Sequence, residues 1–471
     1  MGLAFIPLYI KFLGIEAYGL IGLFALLQAW LAILDMGMTP TLVREMARHT
    51  ADTHDSNSIR DLLRSIEVVA ICIAALAFAG IALGADWMAS SWLNAETLSN
   101  EVVSQAIQAM ALIIAVRFIE GIYRGSIVGL QRQVLLNTVN AAMSTLRGFG
   151  ALGVLVWVSA SIEAFFIWQA LVSIATAIIY AVATYTCLPR GERAGHFSLA
   201  ALTTVWRFAG GMFSISVLSL MLMQVDKLLL SNLLSLSEFG FYTLAAVVAG
   251  SLFMVITPIT QAYYPVFCNL QARQDQARLI ESYHKSAQLI AVFAGSIAMV
   301  VIVHSETLLR LWTQDPELAK QTAPLLSLLM LGNLLNGLMW IPYHAQLAHG
   351  WTSLTIRINV VAVTFLIPTV IWAITYFGAL GSASVWVTLN AGYVFIGIHF
   401  MHRRILVNEK WRWYIQDNLI PLLVGGAAVT SFDALWSTGS NDLSDIIKLT
   451  ILTILTPAAM FITIRVQRSL E

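Results

Sequence analysis

Leu136-Asn-Thr-Val-Asn-Ala-Ala-Met-Ser-Thr-Leu-Arg-Gly-Phe-Gly-Ala-Leu-Gly-Val-Leu-Val-Trp-Val158 carries a single charged side chain, Arg147, near its middle. Its length matches the roughly 20 residues that an α-helix needs to cross a ~30 Å hydrocarbon core. Asn137, Asn140, Ser144 and Arg147 follow one another at spacings of three, four and three. A helix places all four on one stripe of an otherwise apolar surface. A charge at mid-bilayer depth costs about 2.5–3.5 kcal/mol on insertion scales and normally faces a bundle interior or a wet cavity. A polar stripe with a buried cation therefore points to a lumen that accepts something anionic.

This run is one of thirteen. The others lie near 19–41, 66–85, 103–122, 163–185, 208–231, 241–267, 287–303, 324–342, 355–377, 382–400, 419–436 and 447–464, and a short apolar stub, Met1–Ile10, precedes them. Hydrophobic residues make up 58% of the chain and charged residues 11%, with a mean hydropathy of +0.78. Soluble domains do not have this composition, so the chain is an all-α polytopic membrane protein. No connection is long enough to fold into a soluble domain with a conventional active site. The 26 Lys and Arg balance the 26 Asp and Glu, so net charge says nothing of nucleic acid or acidic partners. Cys72, Cys187 and Cys268 show no metal-ligand spacing and are read as small apolar residues. If the stub runs outward, 18 of the 26 cationic side chains lie on the cytoplasmic side, four lie outside and four lie within helices. The positive-inside rule then fixes the orientation and puts the C-terminus in the cytoplasm.

The chain also repeats itself. Ile15-Glu-Ala-Tyr-Gly-Leu-Ile-Gly-Leu23 lines up with Leu236-Ser-Glu-Phe-Gly-Phe-Tyr-Thr-Leu244, pairing Tyr18-Gly19 with Phe239-Gly240. Each copy is an aromatic-Gly turn between two apolar helices of the same orientation. The expected architecture is two six-helix bundles related by a parallel repeat, 1–190 and 191–405, with two additional C-terminal helices over 406–471. Parallel repeats of this kind are typical of transporters with a central site between the halves. The helix before the second copy is long enough to span, whereas the ten-residue stub before the first reaches only about 15 Å. The natural first helix is therefore expected to start upstream; a half-helix packed in the outer leaflet is the alternative. The stub lacks the basic start and small-residue cleavage site of a signal peptide.

Several local sequences resemble a known family. They are Pro7-Leu-Tyr-Ile-Lys-Phe-Leu-Gly-Ile-Glu-Ala-Tyr-Gly19, Leu34-Asp-Met-Gly37, Arg44-Glu-Met-Ala-Arg48, Tyr123-Arg-Gly125 with Gly129-Leu-Gln131, Asp226-Lys-Leu-Leu-Leu-Ser231 leading into Phe239-Gly-Phe-Tyr242, and Tyr264-Pro265. Together they resemble the Wzx-type oligosaccharide flippases of the multidrug/oligosaccharidyl-lipid/polysaccharide (MOP) exporter superfamily. The resemblance extends to about residue 400. It implies a two-bundle transporter in the bacterial inner membrane. Such a protein moves a polyprenyl-pyrophosphate-linked oligosaccharide, such as an O-antigen unit, from the inner to the outer leaflet for surface polysaccharide assembly. Alternating access through a partly cationic central cavity would be driven by an ion gradient, with H+ or Na+ as the coupling ion. No phosphate loop, metal constellation or nucleophile–base spacing marks an enzyme or a cofactor site. A drug or toxin antiporter of the same superfamily is the nearest rival. Its cationic cargo would call for an acidic lumen, but the charges within helices are four basic (Arg117, Arg147, Lys227, Arg357) and three acidic (Asp35, Glu120, Asp226). A membrane glycosyltransferase or polymerase is a further alternative, opposed by the short, cation-poor outer loops.

The candidate cavity residues follow from helical stripes. Arg147, with Asn137, Asn140 and Ser144, would present a planar guanidinium to pyrophosphate oxygens. Thr257, Thr260, Gln261 and Tyr264 form a second stripe beside Pro258, whose missing N–H favours a kink at a cavity. Asn333, Asn336 and Trp340 form a third, suited to sugar hydroxyls and rings but equally to gluing helices together. Arg117, Glu120 and Arg124 share one face at the inner end of their helix, where they could receive a diphosphate head group or pair locally. Asp35, Asp226 and Lys227 are the candidates for ion coupling. Interhelical pairing is the alternative for Asp226 and Lys227, and a cap on the break at Gly37 or a pair with Arg44 for Asp35. Trp87, Trp92, Trp312, Trp411 and Trp413 are expected at the membrane interfaces.

Overall fold

Short polar side chains set the starts of several long helices. Ser99 accepts from Val102 N at 3.4 Å, Ser161 from Ala164 N at 3.3 Å and Asp275 from Arg278 N at 3.2 Å. Asp315 accepts from Glu317 N and Leu318 N, both at 3.1 Å, and Pro316 follows in the first turn, where its missing N–H is harmless. The computed structural model of the chain describes residues 2–35, 56–188, 195–199, 224–349, 353–436 and 442–470, with positions 38, 39, 42, 43, 45, 46, 220, 221 and 351. The first half of the span expected at 208–231 lies outside the described residues, as does Arg44.

The chain separates into two compact units, Met1–Gly240 and Phe241–Glu471. The first holds α1 (Gly2–Leu13), α2 (Ile15–Leu31), α3 (Ser56–Trp87), α4 (Asn100–Gly129), α5 (Gln133–Trp157) and α6 (Ile162–Cys187), and reaches the start of α7 (Leu236–Gly250). At its centre α4 packs against α3 and α6, burying Val103, Ile107, Met110 and Ile114. The second unit adds α8 (Phe253–Ala272), α9 (Gln276–Val303), α10 (Ser305–Thr313), α11 (Pro316–Leu338), α12 (Trp340–Ala348), α13 (Ser353–Gly392), α14 (Ile420–Leu435) and α15 (Asp442–Leu470). Here α9 is the buried core element, set against α8, α11, α14 and α15.

Ten stretches among the described residues are helical, long and apolar enough to cross a membrane. One of them, Ser353–Met401, has 49 residues, far more than the ~20 that one crossing needs. It doubles back at Gly378, whose φ of 58° and ψ of −143° suit a residue without a Cβ. The two arms face each other, for Tyr393 Oη donates to Asn359 Oδ1 at 3.1 Å across 34 residues of chain. In a straight helix those residues would stand about 51 Å apart. The expected spans 355–377 and 382–400 are these two arms. Between them lies a cleft of about 1030 Å³ with mostly apolar walls and Arg357 among its lining residues.

The run expected at 241–267 is interrupted. α7 ends at Gly250 and α8 begins at Phe253, with a tight turn closed by Ser251 N→Val248 O at 3.1 Å. The break thus falls before Pro258, which sits inside α8. Lys410–Arg412 leads through a π-helical stretch, Trp413–Leu419, into α14. Trp413 is fully buried, so it is a core residue and not part of an interfacial belt; Trp87 and Trp411 are exposed.

Candidate functional site

Asn137, Asn140, Ser144, Arg147, Gly148, Ala151 and Leu155 fall within a sector of α5 only about 100° wide. The sector changes character along the helix. Gly148, Ala151 and Leu155 are buried, whereas Asn137 and Ser144 are exposed and Asn140 and Arg147 are half-buried. The large apolar side chains Leu146, Phe149 and Val156 lie exposed on a different face of the helix. Aromatic side chains of α1 cause the change. The Phe5 ring fills the place where a Cβ on Gly148 would sit, and Phe5 meets Phe149 edge-on at 5.0 Å. Tyr9 Oη donates to Gly148 O at 3.4 Å, and its ring packs edge-on against Phe165 of α6 at 5.1 Å.

Arg147 stands where the open half meets the closed half. Its Nε and Nη2 are buried and have no hydrogen-bond partner, and Glu120 Oε2 on α4 is in the same condition. Burying such donors unpaired costs about 1–3 kcal/mol each, more for charged groups. Arg147 and Glu120 are each other's electrostatic neighbours, and Arg117 and Arg124 also act on Glu120. Asn140, about two turns away, accepts from Tyr180 Oη of α6 at 2.8 Å. The trio expected to receive a head group divides. Arg117 is committed to packing: Nη1 donates to Gln28 Oε1 at 2.8 Å, Nε donates to Ser173 Oγ at 3.3 Å, and the guanidinium lies 5.0 Å from the Phe24 ring centre. Arg124 is exposed and Glu120 half-buried.

The other two stripes behave differently. On α8, Gln261 is exposed and Thr257 half-buried, but Thr260 is buried, and its hydroxyl donates to Thr257 O at 2.8 Å. Thr260 therefore faces packing and does not line an open surface. On α11, Asn333 is buried and accepts from Trp386 Nε1 at 2.9 Å, while Asn336 donates to Asn390 Oδ1 at 2.8 Å. Trp340 Nε1 in turn donates to Asn336 Oδ1 at 3.1 Å. These groups tie α11 to the second arm of α13, which is the gluing role. Asp35 accepts from Thr39 Oγ1 at 2.6 Å and from Thr39 N at 3.1 Å. Lys227 Nζ donates to Gln224 Oε1 at 3.1 Å, and both Asp226 and Lys227 have further partners.

Among the described residues, Glu16, Glu67 and Asp417 are buried carboxylates that escaped the sequence reading. Glu16 accepts from the backbone N–H of Glu96 at 2.6 Å and of Thr97 at 2.9 Å, and from the Thr97 hydroxyl. Glu67 binds Arg64 at 3.1 Å and Tyr185 Oη at 2.7 Å. Asp417, wholly buried on the π-helical stretch, meets His284 Nδ1 at 2.5 Å and Gln288 Nε2 at 2.8 Å; His284 Nε2 lies 2.8 Å from Glu409. Glu96, Tyr185 and His284 lie 80 to 133 residues from the carboxylates they meet, so no local spacing marks those contacts. The one usable signal was His284 with Gln288, a polar pair four residues apart at the start of a span.

The profile of the polysaccharide biosynthesis protein family matches residues 1–271, more than half of the chain. The chain belongs to this family. A second profile, MatE, matches residues 212–372. The family member is 21% identical to a Shigella flexneri protein provisionally named an O-antigen transporter, over 79% of this chain and 87% of that one. Solved structures of other proteins share its fold, two of them as follows. An inward-facing multidrug resistance MATE family transporter of the MOP superfamily matches with a TM-score of 0.70 at 12% identity, covering 87% of this chain and 94% of that one. The lipid II flippase MurJ, in an inward closed conformation, matches with a TM-score of 0.63 at 13% identity, covering 97% and 98%. The family places this multi-pass membrane protein among MOP-type transporters.

Proposed function

We propose that the protein flips a polyprenyl-pyrophosphate-linked oligosaccharide from the inner to the outer leaflet of a bacterial inner membrane. It would do so by alternating access along a partly cationic passage to which α5 contributes Arg147. One observation carries the reading. Arg147 keeps two buried N–H donors without partners at the end of an open polar stripe. A guanidinium with free donors matches the paired oxygens of a phosphate. The hydroxyl- and amide-bearing stripe of Asn137, Asn140 and Ser144 offers the donors and acceptors that sugars need. The O-antigen relative and the lipid-linked cargo named for the MurJ neighbour favour the same substrate class. A two-bundle repeat with two further helices, an outward-running stub and a cytoplasmic C-terminus belong to this reading, and so does coupling to H+ or Na+.

The test is translocation of a fluorescent polyprenyl-pyrophosphate oligosaccharide in proteoliposomes, comparing the protein with its folded Arg147→Gln variant. Translocation by the first and its loss in the second is the expected result. The MatE match favours a second reading, a drug antiporter. Export of cationic dyes with no movement of the lipid would replace the flippase by that reading.

A further inference from the structure

His284 on α9 is 3% exposed and sits between two carboxylates. Its Nδ1 lies 2.5 Å from Asp417 Oδ2 and its Nε2 lies 2.8 Å from Glu409 Oε2. A neutral imidazole has one N–H and one bare nitrogen, and an ionised carboxylate can only accept. With both carboxylates ionised and the ring neutral, one of these two contacts would set a nitrogen lone pair against an anionic oxygen. Hydrogen-bond distances on both sides therefore require two hydrogens in the cluster. That is one more than a neutral histidine and two carboxylates supply. The extra hydrogen belongs to the three groups jointly, whichever atom carries it.

The surroundings hold this arrangement in place. Asp417 is 0% exposed, and its second oxygen accepts from Gln288 Nε2 at 2.8 Å, one turn along α9 from His284. Asp417 lies on the widened π-helical stretch Trp413–Leu419, in which Asn418 Nδ2 donates to Trp413 O at 2.7 Å. Such widened turns recur at functional positions in helices. Glu409, 20% exposed, stands at the partly open end. Charged and titratable groups facing the cluster are Tyr283 on α9, His402 and Lys410 in the turn before α14, and Arg412 and Tyr414 on its approach.

We infer that Glu409, His284 and Asp417 form a proton-binding site that ties the 409–419 segment to α9 and exchanges its proton with water through Glu409. No electrons move and no bond between heavy atoms changes. A proton enters from water at Glu409, is shared by the imidazole and both carboxylates, and leaves the same way. When it leaves, one nitrogen–oxygen contact becomes repulsive, and the segment loses one of its two tethers to His284. The site does not depend on what the protein carries. If transport is driven by a proton gradient, it supplies a buried group whose occupancy alters helix packing.

The experiment follows the thermal unfolding midpoint of the purified protein in detergent from about pH 5 to about pH 10. The comparison is with His284→Gln and Asp417→Asn. The native protein is expected to exceed His284→Gln by several degrees at the acid end, with the gap closing as the pH rises. In Asp417→Asn the amide can donate to, or accept from, the ring without an extra proton. Its curve should therefore lose the alkaline decline of the native protein. Burial holds His402 below its usual range, which weakens the fold on the acid side, so its contribution has the opposite sign and separates from that of the cluster. Parallel curves for the native protein and both variants would overturn the proposal. Should His284→Gln fail to fold, Asp417→Asn decides alone, and an unchanged alkaline decline in it has the same force.

Discussion

Gly19 lies directly against the backbone carbonyl of Leu236, so closely that a Cβ on Gly19 would overlap that oxygen. The contact is returned. A Cβ on Gly240 would stand 2.5 Å from the carbonyl oxygen of Ile15. Ile15 and Leu236 open α2 and α7, and each glycine lies one turn along its own helix. The two helix starts therefore cross as an isologous pair, each offering the same surface to the other. In the sequence alignment of the two aromatic-Gly turns, Ile15 pairs with Leu236 and Gly19 with Gly240.

Because the obstacle at both glycines is backbone and not a flexible side chain, neither crossing can relax cheaply. Gly240→Ala should destabilise the protein by about 1–3 kcal/mol, the usual cost of overpacking. Gly19→Ala should act similarly. The double variant should lose less than the sum, since one separation of the helices relieves both clashes. Thermal unfolding in detergent reads all three, and a native-like midpoint in either single variant would show that the crossing is looser than it looks.

Arg147→Gln removes a cation whose donors are unspent, so its effect should appear in transport and not in stability. Losing a charge-assisted contact of about 1.5–3 kcal/mol corresponds to roughly 10–100-fold in rate. Arg147→Lys keeps the charge but not the planar pair of donors and should recover only part. Arg117→Gln is the control in the opposite sense. It loses contacts with Gln28, Ser173 and the Phe24 face, and its main effect should be a lower unfolding midpoint. Equal translocation by native and Arg147→Gln protein would remove Arg147 from the substrate path.

Glu16 holds the 96–97 segment by its backbone N–H groups. Glu16→Ala leaves those donors without their acceptor, at about 1–3 kcal/mol. Hydrogen exchange at the amides of Glu96 and Thr97 should accelerate more than elsewhere in the first unit. An exchange pattern indistinguishable from the native one would mean that the loop is held by other contacts, such as Leu236 N→Asn94 O.

His402 offers a pH prediction. Burial pushes it below its ordinary value, only partly opposed by its hydrogen bond to Ile398 O at 3.1 Å. Tyr283 Oη donates to its Nε2 at 3.4 Å, which suits a neutral ring with the proton on Nδ1. Below pH ~6.5 the unfolded chain takes up a proton at this position before the folded one does. Stability from His402 is thus present above that value and declines as the pH falls toward the folded one. His402→Gln should flatten the acid side of the midpoint-versus-pH curve, and an acid limb as steep as the native one would exclude His402 as its source.

The helices were legible because apolar runs of spanning length leave few alternatives, and the fold-back at Gly378 was implied by two runs too long for one crossing. The stripe on α5 was legible for the same reason, since polar residues three and four apart must share a face. Whether a stripe is open or packed was not. Thr260 and Asn333 show the same periodicity as Asn137, yet neighbouring helices cover them, and no spacing records which helix will be the neighbour. The His284 cluster failed differently. Its members lie on separate elements 125 to 133 residues apart, and only the tertiary fold brings them together.

The change of character along α5 has one further consequence. On the proposed transport path, a solute following the open stripe to Arg147 would meet the Phe5 ring, which occupies the notch at Gly148. Movement past that point would require α1 to slide or lift away from α5. On that reading the guanidinium would be both resting place and doorstep, and the aromatic side chain behind it would set the size of the step that carries cargo onward.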